Sequence, residues 1–190
     1  MRIKLEGADK RGKVSLEEAI ERRKSRRAFK RTALTKKQLS QLIWSAGKAP
    51  SAGATYPLEL YVVIGKECAE DIDAGVYHAK RYSELDLHKE GDIREKLAVA
   101  CLSQMFIADA PVSFVIAAEY ERTTRRYGDR GIRYVHIEVG HVSQNIYLQC
   151  EALGLVTVAI GAFYDDEVAR VLSLPEGQKP IYVMPVGVGL

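Results

Sequence analysis

Seven cations and no acid fill the ten positions from Arg22 to Arg31, so this segment is built to meet an anion. Within it Arg23, Lys24, Ser25 and Arg27 bring three cations and a hydroxyl into five residues. That set suits a phosphate monoester, because a guanidinium can bind two oxygens while the serine donates to a third. The same residues also read as a solvated basic helix end, favoured by the dipole at a helix C-terminus. Nucleic acid is a third reading, weakened because Phe29 is the one aromatic interleaved among the charges.

The other chemistry-bearing residues form no familiar constellation. His136 and His141 are five apart, on different faces of a helix, and with His78 and His88 they make no His-Glu-x-x-His or Cys/His cluster, so no metal is expected. Cys68, Cys101 and Cys150 are odd in number and widely spaced, which argues against a disulfide framework and for inert thiols. A serine hydrolase would need a Gly-x-Ser-x-Gly elbow and a nucleotide hydrolase a Walker loop. The sequence has neither.

The elements that must position these residues follow from caps and periodicity. Ser15 ahead of Leu16, Glu17 and Glu18 starts a helix over about 16–25, and Thr35 with Gln38 makes a capping box for a second over about 36–47. Residues 48–57 hold two prolines and a glycine and read as a loop with little side chain. Strands are expected at 58–64, 112–118, 155–160 and 181–188; helices at 92–106, 132–153 and 165–172. Residues 66–90 are left without assignment, and the charged run 119–130 reads as a solvated excursion. The alternation suggests a mixed α and β layer fold in one domain over 1–190, with 1–14 peripheral. It does not open on the Gly-x-Gly-x-x-Gly turn of a dinucleotide-binding unit.

Composition narrows the classes further. At 47% hydrophobic and 28% charged residues, disorder and fibrous repeats are both excluded. The longest apolar runs fall far below the roughly 20 residues that span a bilayer. The N-terminus lacks the apolar core of a signal peptide, so the expectation is a cytoplasmic protein without a membrane or nucleic-acid partner.

Five stretches in order resemble the FMN-dependent nitroreductase family over about residues 15–189: Arg23 to Phe29, Ala49 to Pro57, Gln104 to Pro111, Glu138 to Asn145, and Leu153 through Gly161, Ala162 and Phe163 to Gly187. The Pro50–Gly53 loop with Tyr56 to Tyr61, and Gly75 to His78, look like the branch of the SagB-type dehydrogenases of peptide natural products. The resemblance implies an α+β fold, with a central, mainly antiparallel sheet flanked by helices. It also implies a homodimer with two FMN sites at the interface.

Residue by residue, the resemblance gives Arg23, Lys24, Ser25 and Arg27 the FMN phosphate and ribityl chain. It gives Pro50, Ser51, Ala52 and Gly53 the ring edge, approached from the other subunit. Gly161 and Ala162 receive backbone donors facing flavin N5 and O4, and Gln104 the pyrimidine edge. Tyr56, Tyr77 and His78 are the residues near the substrate side able to give a proton. Relatives often carry a basic segment after the last strand, where this sequence reads Val188, Gly189, Leu190. Phosphate binding then leans on the N-terminal cluster, helped by Arg130, Arg133 or Lys179, and the helix at 132–153 becomes the candidate dimer interface. The implied chemistry is hydride transfer from NADH or NADPH through FMN to a nitro compound, quinone or other small molecule. A dehydrogenation of SagB type, or a non-catalytic FMN- or phosphate-ligand-binding module, is the alternative.

Overall fold

The computed structural model describes residues 1–190. Its elements are β1 (Arg2–Lys4), α1 (Leu16–Arg22), α2 (Lys36–Ala46), β2 (Leu58–Ile64), β3 (Gly75–Lys80), β4 (Glu84–Glu90), α3 (Arg94–Ala100), α4 (Phe106–Asp109), β5 (Val112–Glu119), α5 (Glu121–Tyr127), α6 (Arg130–Ala152), β6 (Val156–Thr157), α7 (Asp165–Leu172) and β7 (Gln178–Gly187). Seven strands form one sheet in the order β1-β4-β3-β2-β5-β7-β6, with every pair antiparallel. This is the α+β fold expected from the resemblance.

The central strands are apolar on both faces because helices cover both. On β2, Leu60, Val62 and Ile64 join the core beneath α2 and α6, while Tyr61 and Val63 join the core beneath α3 and α7. Phe114 and Ile116 on β5 repeat the first set, Val115 and Ala117 the second. The long helix α6 seals one face with Val135, Val139, Val142, Ile146 and Cys150. Burial pushes the Cys150 thiol far up and the Cys101 thiol up to about 12, as inert thiols require.

Both predicted caps are present. Ser15 Oγ accepts from Glu18 N at 3.1 Å, and Thr35 exchanges bonds with Gln38 in a capping box. Several expectations are corrected. α1 ends at Arg22, freeing the basic segment as extended chain. The helix expected over 92–106 is broken into α3 and α4 by left-handed backbone at Leu102 and Ser103. Residues 66–90 hold the β3–β4 hairpin, 119–130 hold α5, and the strand expected at 155–160 shrinks to β6 with a single bridge from Ile160 to Val183. The N-terminal segment is tied in: β1 pairs with β4, Ile3 and Leu5 are buried, and Asp9 N donates to Gln41 Oε1 at 2.9 Å.

Candidate functional site

The basic segment leaves α1 at Arg23 and runs extended beside β6 and the chain's last residues. Arg26 N donates to the Thr157 carbonyl at 3.0 Å, Lys30 N to that of Val188 at 2.8 Å, and Phe29, bridged to Gly189, packs on Val156 and Ala110. Its cations divide into two groups. Arg22 is paired with Glu18, and Arg26 Nη1 lies 2.5 Å from Glu151 Oε1. Arg23, Lys24, Arg27, Lys30 and Arg31 have no carboxylate partner, and the first three of these are the ones that spacing selected.

A chain of hydroxyls joins this cluster to the next loop. Ser25 Oγ lies 2.9 Å from Tyr147 Oη, which accepts from Ala159 N at 2.7 Å, and the Arg23 guanidinium sits 5.2 Å from the Tyr147 ring centre. With Ala159 N–H on one lone pair of the tyrosine oxygen, the tyrosine proton can go to Ser25, leaving the serine O–H for a ligand. Two residues on, the exposed Gly161 and Ala162 present backbone N–H groups that donate to nothing in the chain. Gln104 braces this turn: its Nε2 donates to Cys101 O at 2.8 Å and Ala162 O at 3.0 Å. Both amide hydrogens are thereby used, so Gln104 supports the turn from within instead of reaching outward. Thr157 is 2% exposed and its Oγ1 lacks a partner, an orphan beside the backbone that holds Arg26.

The small-residue loop forms a second cluster. Ser51 Oγ accepts from Tyr56 N at 2.9 Å, and a single 3-10 turn at Ala52–Ala54 passes through left-handed backbone at Gly53, with φ of 57°. Behind it lies Glu138 of α6, 6% exposed, facing the Ser51 hydroxyl and Ala52 N–H. Burial pushes its carboxyl above the usual range, against the pull of those donors and of His141. Pro50 and Gly53 are exposed, and Tyr56 is 63% exposed.

Tyr77 is fully buried and its hydroxyl is donated to Asp73 O at 2.9 Å; its side chain belongs to the core. His78 Nε2 lies 2.5 Å from Glu59 Oε2, with its ring stacked on Tyr61. Burial alone would raise the Glu59 carboxyl, but hydrogen bonds and charge from His78 and Arg122 outweigh it and hold the carboxyl below its ordinary value.

The two clusters meet opposite faces of α6. Tyr147, which holds Ser25, and Glu138, which backs Ser51, are nine residues apart, about 900° at 100° per residue and so roughly half a turn out of phase. Arg130 and Arg133 sit at the far end of α6 from Tyr147, about 26 and about 21 Å away along the axis, and Lys179 at the opposite end of β7 from Val188. None of the three helps the N-terminal cluster within one chain.

A family model described as Nitroreductase family matches residues 20–188. The chain belongs to the nitroreductase family.

A candidate nitroreductase of Methanocaldococcus jannaschii is 45% identical over 183 residues, covering 92% of this chain and 91% of that protein. The trifolitoxin-processing protein TfxB of Rhizobium leguminosarum is 34% identical over 111 residues, 56% of this chain but only 30% of TfxB. Among solved structures, a candidate nitroreductase of Ralstonia eutropha superposes with a TM-score of 0.84 at 27% identity, covering 100% of this chain and 90% of that one. One from Anabaena variabilis also reaches 0.84, at 26% identity, with 92% of this chain covered but 38% of the longer relative.

This nitroreductase-family chain carries site features that sequence reasoning passed over. Tyr147 falls within the helix expected at 132–153 and the orphan Thr157 within the strand expected at 155–160, and neither range marks them as site residues. Arg122 and Thr123, which contact the Ser51–Tyr56 loop, lie in the run read as solvated excursion. A usable signal was there: Arg122, Thr123, Arg126 and Tyr127 fall at helical spacing.

Proposed function

We propose that this chain is an FMN-dependent oxidoreductase that takes hydride from NADH or NADPH and passes it on to a small organic acceptor, a nitroaromatic compound or quinone, working as a homodimer. The observation that carries the reading is the division within the basic segment: Arg22 and Arg26 are spent on carboxylates, while Arg23, Lys24 and Arg27 are left for an anion beside a free pair of N–H donors. Bound FMN would supply a ring nitrogen, N5, that accepts and returns hydride.

The chain's own residues do the holding. Arg23, Lys24 and Arg27 neutralise the phosphate and Ser25 donates to one of its oxygens. Thr157 Oγ1 is a buried polar atom without a partner, in the residue whose carbonyl accepts from Arg26 N, and a bridging water would satisfy it. Gly161 and Ala162 offer N–H groups toward the ring at N5 and O4, where donors orient the ring and tune its potential. Gln104 fixes that turn. Since the Pro50–Gly53 loop lies across α6 from this cluster, the loop that meets the ring edge belongs to a second copy. The exposed outer face of α6, with Ile132 at 44% and Ile137 at 49% exposure, fits a subunit contact. Tyr56 is exposed enough to approach a substrate, unlike Tyr77.

The similarity to TfxB, a protein named for toxin processing, favours one second reading, a SagB-type dehydrogenation of a peptide-derived substrate. The purified protein, titrated with FMN and then given NADH or NADPH without oxygen, is expected to show a flavin band near one per chain that bleaches. A band that binds but never bleaches identifies a binding module. The absence of any band under excess FMN overturns the flavin reading altogether.

A further inference from the structure

Four of the seven residues of α5 reach the Ser51–Tyr56 loop. Arg122 Nη1 donates to the Tyr56 carbonyl at 3.1 Å, Thr123 Oγ1 lies 2.7 Å from Thr55 Oγ1, and Arg126 Nη1 donates to the Gly53 carbonyl at 3.2 Å. The Tyr127 hydroxyl fills the space that a Cβ at Gly53 would take. The loop needs such support. Gly53, Ala54 and Tyr56 have φ of 57°, 53° and 46°, and non-glycine backbone of that kind persists only where its surroundings impose it.

Arg122 is itself fixed. Its Nη2 lies 2.6 Å from Glu59 Oε1 and 2.7 Å from Glu119 Oε2, and the second oxygen of Glu59 is held by His78. Three neighbouring strands, β2, β3 and β5, thus anchor one guanidinium whose Nη1 grips the loop. A surface ion pair alone has no need of the Tyr56 carbonyl, and an exposed helix has no need to bury Thr123, which is 1% exposed.

We propose that Arg122 is a positioning residue, whose Glu59-anchored guanidinium and the adjacent Thr123 hold the Ser51–Tyr56 loop in the left-handed shape it presents to the redox site. The effect on catalysis rests on the flavin reading above; the hold on the loop does not. Within this arrangement His78 is a support for Glu59, and Tyr56 is placed through its own carbonyl.

The test compares Arg122→Ala, Arg122→Lys and Thr123→Val with Arg125→Ala, whose only partner is Glu121, in the full chain. In flavin-free protein, amide hydrogen exchange over residues 52–56 is expected to quicken about 5- to 10-fold in Arg122→Ala and Thr123→Val, the size of one lost hydrogen bond. Arg125→Ala should leave it unchanged. Arg122→Lys, with one point of charge in place of a fork, should restore only part of the protection. With FMN bound, KM for the acceptor should rise about tenfold in Arg122→Ala while FMN affinity holds, because the phosphate cluster lies elsewhere. Unchanged loop exchange in both loop variants overturns the proposal, and faster exchange with unchanged KM overturns its catalytic half. Faster exchange in a protein that never takes up FMN supports the hold on the loop and overturns the flavin reading instead.

Discussion

Two arginine-rich regions of this molecule use the same side chain in opposite ways. In the segment after α1, Arg23 and Arg27 have no carboxylate partner, and the neighbouring N–H groups of Gly161 and Ala162 are equally unengaged. In α5, Arg122 has Glu59, Glu119 and the Tyr56 carbonyl, so both of its terminal nitrogens are already engaged within the chain. The first region leaves its guanidinium groups without a carboxylate, and the second ties its own into two strands and a loop. Charge density in the sequence does not separate them. The partner set around each guanidinium does.

The largest effect expected from that contrast comes from Arg23→Ala combined with Arg27→Ala. Losing two charge-assisted contacts, each about 1.5–3 kcal/mol, should weaken FMN binding by about 10² to 10⁴-fold in a fluorescence titration. Thermal unfolding of the flavin-free double variant should move only slightly, since neither cation has a carboxylate to lose and Arg23 gives up only its contact with the Tyr147 ring. A large drop in stability would mean that the segment is a strut like α5.

Tyr147→Phe comes next, because it strands the Ala159 N–H that the hydroxyl accepts. A cost of about 1–3 kcal/mol is expected in urea unfolding, with weaker flavin binding through the loosened Ser25.

Acid titration separates half-buried Glu59 from buried Glu138 by sign. Glu59 has a folded pKa below its unfolded value of about 4.3, so its contribution is complete above that pH and is lost as pH falls through the folded value. Glu59→Gln should therefore flatten the acid side of the stability profile. Glu138 has a raised folded pKa, so its contribution is complete below about 4.3 and is lost as pH rises through the folded value. Glu138→Gln, which removes the charge but keeps an acceptor facing Ser51 and Ala52, should raise stability at neutral pH.

The smallest effect is that of Arg22→Ala. It removes an exposed pair with Glu18 one helical turn away, worth at most about 0.5 kcal/mol, and flavin binding should not change.

Local chemistry made much of this legible before folding was considered. Ser15 and the Thr35–Gln38 box begin α1 and α2 where their hydrogen bonds are seen, because a cap needs only its own next three residues. The apolar strands β2 and β5 and the period of α6 were equally plain, since burial on two faces or one leaves a direct mark on composition. The Arg23, Lys24, Ser25 and Arg27 cluster could be read for the same reason: its residues are neighbours in the chain.

What failed were elements whose reasons lie elsewhere in the chain. β4, Glu84–Glu90, is half-exposed and polar, and is a strand because β1 and β3 supply its hydrogen bonds. α5 shows no apolar stripe because it packs through hydroxyls and guanidinium groups on a loop some seventy residues earlier. Residues 158–160 are apolar enough for a strand, but β7 receives only Ile160 there and the rest turns away toward Gly161.

The sequence by itself determined the apolar strands, the capped helices, the resemblance to the family and the cation-rich segment, all consequences of residue type and near-neighbour spacing. Only the tertiary structure decided which cations stay unpaired, that Tyr147 links Ser25 to the Gly161 turn, and that the Ser51 loop lies across α6 from them. The reason is physical: a side chain's type fixes what it can bind, but its partner is set by which distant backbone the fold delivers within about 3 Å.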